Sequence, residues 1–301
     1  MSLLWGIDLG GTKIEGAILD RTQPRAALHR LRLPTEPERG YEHVVAQIGR
    51  VVAELERASD SKRPAVIGVG TPGTTEPDTG LLKNSNTTCL NGRPLRQDLG
   101  TALGVVARLA NDANCCALAE ATLGAARGRR VVFGLILGTG VGGGLVVDGR
   151  VLEGRHGIAG EWGHNPIGGE TTPCYCGRRG CVETVIAGPS LERFYREQGG
   201  DVSARLPEIV RRARAGESLA AATLERLREK FGAALAAVIN IVDPDAIVIG
   251  GGVGNLDELY TDATRAAIVR HLFNPELRTE LLRPELGDSA GVFGAALLGA
   301  G

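Results

Sequence analysis

His164 is followed by Cys174, Cys176 and Cys181, a H-x9-C-x-C-x4-C spacing with glycines at 177 and 180 that let the chain wrap an ion. Three thiolates and one imidazole complete a tetrahedral Cys3His zinc site. Such a set has no open coordination position, so the expected role is structural: the ion pins the segment from Glu161 to Glu183, which has little apolar content of its own. A redox pair, less natural for C-x-C with a third cysteine, and free buried thiols are the competing readings. Cys89, Cys115 and Cys116 read as small packing residues.

Three glycine clusters form a second set. Asp8 precedes Gly10-Gly11-Thr12-Lys13, and Gly138-Thr139-Gly140-Val141-Gly142-Gly143-Gly144 offers similar equipment later in the chain. Backbone N–H groups in such loops can approach a phosphate, Thr12 can donate a hydroxyl bond, Lys13 adds a charge, and Asp8 could orient the water shell of Mg2+. Neither loop is a GxxxxGK[ST] P-loop or a well-placed dinucleotide fingerprint. One such loop alone reads best as a tight turn. Two related loops with a third cluster at 250–254, which includes Gly251 and Gly252, favour nucleotide binding.

A third set is polar: Asn86, Asn111, Asp112, Glu161, His164 and Glu183, whose amides and carboxylates suit an array of sugar hydroxyls if two halves close on a cleft. Asp112 stands between a strand and a helix, so it reads equally as an N-cap or as a base. Glu161 and Glu183 read alternatively as a solvated face or as hydrogen bonds holding a loop. His164 can meet a ligand only through the ring nitrogen that a metal leaves free.

Hydrophobic periodicity supplies the elements that must position these groups. Residues 3–9 and 14–19 read as strands of a hairpin tipped by Gly10–Lys13, and Val44, Val45, Ile48, Val51, Val52 and Leu55 recur at helical spacing. Residues 65–69, 105–109 and 246–249 read as strands. An Ala-rich helix is expected to reach about Ala126, with others over 191–241, 256–273 and 290–301. Trp5-Gly6, Leu9-Gly10, Gly16 and Asp20 align without gaps on Phe133-Gly134, Leu137-Gly138, Gly144 and Asp148. This internal repeat predicts two similar α/β halves with mixed sheets.

The 301 residues, with Lys+Arg 34 against Asp+Glu 35, carry a net charge of -1, too little excess to attract nucleic acid or an anionic membrane broadly. No apolar run approaches a spanning helix, and the first residues show no basic leader region, so a cytoplasmic protein is expected. The 44 glycines fall in short clusters, which excludes collagen and low-complexity disorder.

The motifs DLGGTK (8–13), LANDANC (109–115), LGTGVGGG (137–144), AGEWGH (159–164), CYCGRRGCVE (174–183) and VDPDAIVIGGG (242–252) together resemble the ROK family of sugar kinases and repressors, over about residues 4–300. The resemblance implies an actin-like, ribonuclease H-like fold: a small domain of residues 1–113 with 288–301, and a large one of 114–287 carrying the zinc loop, around an interdomain cleft. It implies Asp112 as the general base that takes the proton of a sugar 6-hydroxyl attacking the ATP γ-phosphate. Asn86, Asn111, Glu161, His164 and Glu183 would hold the sugar, the 250–252 glycines would lie near adenosine, and His164, Cys174, Cys176 and Cys181 would bind zinc.

Within the family, KNSN (83–86) and the pairing of EWGHNP with PCYCG look closest to fructokinases and mannokinases, and less like the glucokinase or N-acetyl-amino-sugar branches. Cys89 stands where related kinases often carry tryptophan. A homodimer is the family expectation. Two other classes are weighed against a kinase. A sugar-responsive repressor would carry a helix-turn-helix module before a strand that here begins by residue 3, and an ATP-driven conformational or filament protein would need neither an acceptor pocket nor a pinned metal loop.

Overall fold

The computed structural model describes residues 3–300. Its elements, in chain order, are β1 (Leu3–Leu9), β2 (Lys13–Asp20), β3 (Ala27–Pro34), α1 (Tyr41–Ser59), β4 (Val66–Thr71), the short ribbon β5 (Thr74–Thr75) and β6 (Leu82–Lys83), α2 (Leu95–Leu103), β7 (Val106–Asn111) and α3 (Asp112–Thr122). There follow β8 (Val131–Leu137), β9 (Val141–Val147), β10 (Arg150–Val151), α4 (Val182–Ile186), α5 (Gly188–Glu197), α6 (Leu206–Arg214), α7 (Ser218–Val242), β11 (Ala246–Gly250), α8 (Gly251–Gly254), α9 (Asp262–Val269), β12 (Glu280–Leu282) and α10 (Ala290–Leu298).

The two main sheets have the same plan, β3-β2-β1-β4-β7 and β10-β9-β8-β11-β12. In the first, β1 runs antiparallel to β2 and parallel to β4; in the second, β11 runs parallel to both β8 and β12. The repeated hairpin thus heads two five-stranded mixed sheets, which is the α/β architecture expected.

The chain divides into two compact units, Met1–Gly128 with Gly144–Ala159 and Glu285–Gly301, and Arg129–Gly143 with Gly160–Pro284. The expected split fell at residue 113; in this division α3 and Gly144–Ala159 go with the first unit.

Strand alternation sorts the first unit's core. Trp5, Ile7 and Leu9 of β1 pack with Ile14, Ile18, Ile67, Val69 and the apolar stripe of α1. Leu4 turns the other way, to Ala17, Leu19 and, on α10, Val292, Phe293 and Ala296. That second face is built from small residues. A Cβ at Gly6 would lie 2.3 Å from the Val292 carbonyl oxygen, and one at Gly68 would lie 1.7 Å from that of Ala295. Glycine at both positions is what lets α10 lie flush on the sheet.

Two helices differ from expectation. The reading over 256–273 is broken into a 3-10 turn, Asp257–Tyr260, and α9, because the Thr261 hydroxyl accepts the Thr264 N–H and starts a new helix. Helix α3 stops at Thr122, short of Ala126, because the buried Glu120 carboxylate takes the Ala125 N–H and, from the returning chain, the N–H groups of Glu285 and Leu286. No helix among the described residues is long and apolar enough to cross a membrane.

Candidate functional site

In the first unit, the β1–β2 turn is held by the Gly10 N–H donating to the Lys13 carbonyl at 2.9 Å and by Thr35. The Thr35 hydroxyl donates to the Gly10 carbonyl at 2.7 Å, and its N–H donates to the Thr12 carbonyl. Gly11, Thr12 and Lys13 are exposed. Neither Gly10 nor Gly11 has positive φ, so glycine serves here for close approach rather than for an unusual conformation. Lys13 keeps a half-exposed ammonium 3.9 Å from Glu15, whose buried carboxylate also accepts from Arg30 and Arg32 on β3.

Asp8 lies on the α10 face of β1, where a Cβ at Gly291 would come within 2.7 Å of its Oδ2. Burial, and then the charges of Asp112 and Glu15, push its carboxyl up to about 6, against the opposing pull of Lys13 and Arg32. Cys115 and Cys116 of α3 are packing residues, as expected: Cys115 sits with Ala110 and Ala295, and Cys116 against the α10 cluster. Burial holds both thiols far above the usual range. Cys89 packs at the edge of the α1 core.

Asp112 is not the helix cap. Asn111 takes that place, its Oδ1 accepting the Ala113 N–H at 2.9 Å while its Nδ2 donates to the Gly73 carbonyl at 3.3 Å. Asp112 is the first helical residue. Its carboxyl reaches solvent and accepts the Ala113 N–H at 2.8 Å, yet desolvation by the surrounding protein outweighs that bond and raises it above the usual carboxylate range.

Asn86 is exposed, on a loop ordered by reciprocal bonds between Ser85 and Asn91 and by the Ser85–Thr87 turn. A Cβ at Gly73 would strike the Lys83 carbonyl oxygen at 2.4 Å, so the loop of Asn86 and the partner of Asn111 lie against each other. The first unit therefore brings Asp8, the Gly10–Lys13 turn and Asp112 into electrostatic contact, with the loop of Asn86 linked to Asn111 through Gly73.

In the second unit, Glu183 on the first turn of α4 accepts the Val141 N–H at 2.9 Å, and a Cβ at Gly140 would lie 2.7 Å from the same oxygen. Gly188 donates to the Gly138 carbonyl at 2.8 Å. Thr139, between them, is carried by the same turn. Glu183, expected as a sugar contact, holds the second glycine loop through one carboxylate oxygen. The third cluster touches that loop: Gly251, with φ +87°, has no room for a Cβ beside the Leu137 carbonyl, and the Gly252 nitrogen lies 3.9 Å from where a Cβ on Gly138 would be.

The metal segment begins at Glu161. Trp162 anchors it, its indole N–H donating to the Ala234 carbonyl and its ring meeting Phe133 and Phe231 edge-on. Gly163 packs on Val141, where a Cβ would lie 2.1 Å from the carbonyl oxygen. One donor atom each from His164, Cys174, Cys176 and Cys181 lies within 4.8 Å of the others. His164 Nδ1 is 3.6 Å from the Cys174 sulfur, and the Cys176 and Cys181 sulfurs are 3.6 Å apart. Bonds of about 2.3 Å to sulfur and 2.0 Å to nitrogen put tetrahedral donors roughly 3.5–3.8 Å apart, so the four residues fit one small cation.

Gly177 and Gly180 have positive φ, as the wrapping reading requires. Glu170 ties the loop to α7: burial would raise its carboxyl, but bonds from Arg226 and Lys230 more than reverse this. Trp162, Tyr175 and Gly291 are the residues that sequence reasoning missed. Among them only the tyrosine between two ligand cysteines left a local signal.

A profile of the ROK family matches residues 4–300. The chain is 35% identical over 306 residues to an N-acetyl-D-glucosamine kinase of Vibrio cholerae serotype O1, covering 98% of this chain and 99% of that protein. Among solved structures, a ROK hexokinase from Thermus thermophilus is 36% identical with a TM-score of 0.87, covering 99% of this chain and 98% of that one. A ROK family glucokinase from Streptomyces griseus, in complex with glucose and AMPPNP, is 29% identical with a TM-score of 0.77, covering 99% of both chains. The expected lean toward fructokinases gains no support from these three proteins.

Proposed function

The chain belongs to the ROK family, and on that premise we propose that it is an ATP-dependent sugar kinase whose acceptor is an N-acetylated amino sugar, N-acetylglucosamine before others. The acceptor assignment is supported by the Vibrio cholerae relative, and the donor by the solved glucokinase that holds a sugar together with an ATP analogue. The observation that carries the chemistry is at the start of α3. Asn111 does the capping, which leaves Asp112 a solvent-reaching carboxylate of raised proton affinity, the property a general base needs.

In the proposed reaction the sugar 6-hydroxyl attacks the γ-phosphorus. The new O–P bond forms as the bond to the β,γ-bridging oxygen breaks, the hydroxyl proton passes to Asp112, and ADP leaves with the electron pair. Transfer of this kind needs mainly alignment and charge neutralisation. Lys13, Thr12 and the amides of Gly10 and Gly11 would meet the phosphates, Asp8 would orient the waters of Mg2+, and the 138–140 and 251–252 glycines would lie against the nucleotide. Asn86, Glu161 and His164 would meet the sugar. Asn111 and Glu183 would act by holding Asp112 and the second glycine loop. His164, Cys174, Cys176 and Cys181 would hold zinc, whose part is to fix the loop rather than to take part in transfer.

The test is ADP release with Mg-ATP against N-acetylglucosamine, N-acetylgalactosamine, N-acetylmannosamine, glucose, mannose and fructose, with Asp112→Asn in parallel. An acetylated sugar is expected to give the highest kcat/KM, and Asp112→Asn should lower kcat by about two to four orders of magnitude with little change in binding. Preference for fructose or mannose would overturn the acceptor assignment. Near-wild-type turnover in the variant would remove the base.

A further inference from the structure

Thr35 follows β3 and is completely buried. It reaches the β1–β2 turn twice: its hydroxyl donates to the Gly10 carbonyl at 2.7 Å, and its N–H donates to the Thr12 carbonyl at 3.0 Å. Its own position is set from α1. The buried Gln47 amide donates to the Pro34 carbonyl at 2.8 Å, and the His43 ring pairs with the Glu36 carboxylate at 2.8 Å. Glu36 is left-handed, with φ +49°, so the chain bends away from β3 there. Thr35 is thus fixed through both of its chain neighbours. The turn it holds is open beside Gly11. Beyond the adjoining residues, a Cβ on Gly11 would meet only the Thr87 hydroxyl within 4 Å, at 3.6 Å.

We propose that Thr35 is a positioning residue for the phosphate site: by holding the Gly10 carbonyl it directs the Gly11 N–H outward, as a donor to a phosphate of the nucleotide. The inference deepens the nucleotide reading given above and rests on it. In a trans peptide the C=O and N–H point in opposite directions, and no described peptide is cis. Fixing the Gly10 oxygen against Thr35 therefore aims the Gly11 hydrogen the other way. An external bond is needed because this peptide joins two glycines. Turning its plane over would carry Gly11 to positive φ, which glycine enters about as readily as negative φ. The turned plane would show the phosphate a carbonyl oxygen, an acceptor facing an anion, in place of a donor. The buried hydroxyl thus decides the sign of the group that the turn presents to its ligand.

The experiment is titration of the full-length protein with Mg-AMPPNP and with adenosine, which has no phosphate, for wild type, Thr35→Val and Thr35→Ser. Valine nearly matches threonine in volume and removes the donor, whereas serine keeps it. Thr35→Val should raise the AMPPNP dissociation constant about fivefold or more and leave that of adenosine within about twofold of wild type. Thr35→Ser should stay close to wild type for both. In 15N NMR the Gly11 amide resonance should move when AMPPNP is added to wild type or Thr35→Ser, and move much less in Thr35→Val.

An AMPPNP affinity of Thr35→Val within about twofold of wild type overturns the role of Thr35 and leaves the nucleotide site standing. Equal losses for AMPPNP and adenosine show a packing contact and overturn it as well. A Gly11 resonance that AMPPNP leaves unmoved in wild type overturns the inference even if Thr35→Val does not fold. Wild-type protein that binds no Mg-AMPPNP overturns both the inference and the nucleotide reading beneath it.

Discussion

Asp8→Asn should make the ligand-free protein more stable while damaging its use of Mg-ATP. The Asp8 carboxyl is raised from 3.8 to about 6, first by burial and then by the charges of Asp112 and Glu15. At about 1.4 kcal/mol per unit, a shift of roughly two units is worth up to about 3 kcal/mol. The sign follows from proton binding. The folded state holds the proton more tightly than the unfolded one, so the favourable contribution is complete below about pH 4 and is lost as the pH rises through about 6. Above that, an ionised Asp8 costs the fold what a neutral isostere would not.

Melting curves of wild type and Asp8→Asn at pH 4, 6 and 8 would read this directly. The variant should gain several degrees at pH 8, most of that near pH 6, and little at pH 4. With Asp112→Asn already present the gain should shrink, since one of the repelling charges is gone. A gain that does not change with pH, or no gain at pH 8, would refute the reasoning.

Two other perturbations separate structural from ligand-binding roles. Glu183→Ala strands the Val141 N–H, which should cost about 1–3 kcal/mol and raise the KM for ATP more than that for the sugar, whereas Glu183→Gln should stay near wild type because an acceptor oxygen remains; a sugar KM raised in both variants, with ATP unaffected, would return Glu183 to the sugar. Removing metal with a strong chelator should lower the melting temperature, with recovery on adding zinc, and unchanged melting and activity in metal-free protein would sink the structural metal.

What could be read from the sequence was what repeats or what is spaced. The hairpin at residues 3–19, the stripe of α1 and the 128-residue echo of that hairpin all follow from periodicity, and they return as two sheets of the same order. The four donors at 164, 174, 176 and 181 could be read because ligand spacing is local. What could not be read were choices between neighbours and contacts made at a distance. Asn111 and Asp112 are both good caps, and only the path of β7 into α3 assigns the cap to the first. Glu183 lies far along the chain from Val141, so its hydrogen bond to the glycine loop leaves no trace in spacing. Thr261 and Glu120 divided or shortened helices whose apolar pattern ran on, because a side chain that satisfies a backbone group outweighs weak propensity.

The glycines of the first unit bear on the chemistry through Asp8 as much as through the loop that follows it. Gly6 and Gly68 admit α10 onto the sheet, Gly294 does the same against Cys115 of α3, and Gly291 leaves room for the Asp8 carboxylate itself. The desolvation that raises Asp8 is therefore a consequence of close helix–sheet packing, which glycine alone permits at these positions. A side chain at Gly6 or Gly68 would push α10 outward, readmit water beside Asp8 and return its proton affinity toward the ordinary range. On the function proposed above, the packing of α10 and the proton affinity with which Asp8 would meet a magnesium-bound phosphate are one property of the fold. The apolar residues around that helix should then be judged by how dry they keep Asp8 as well as by how much surface they bury.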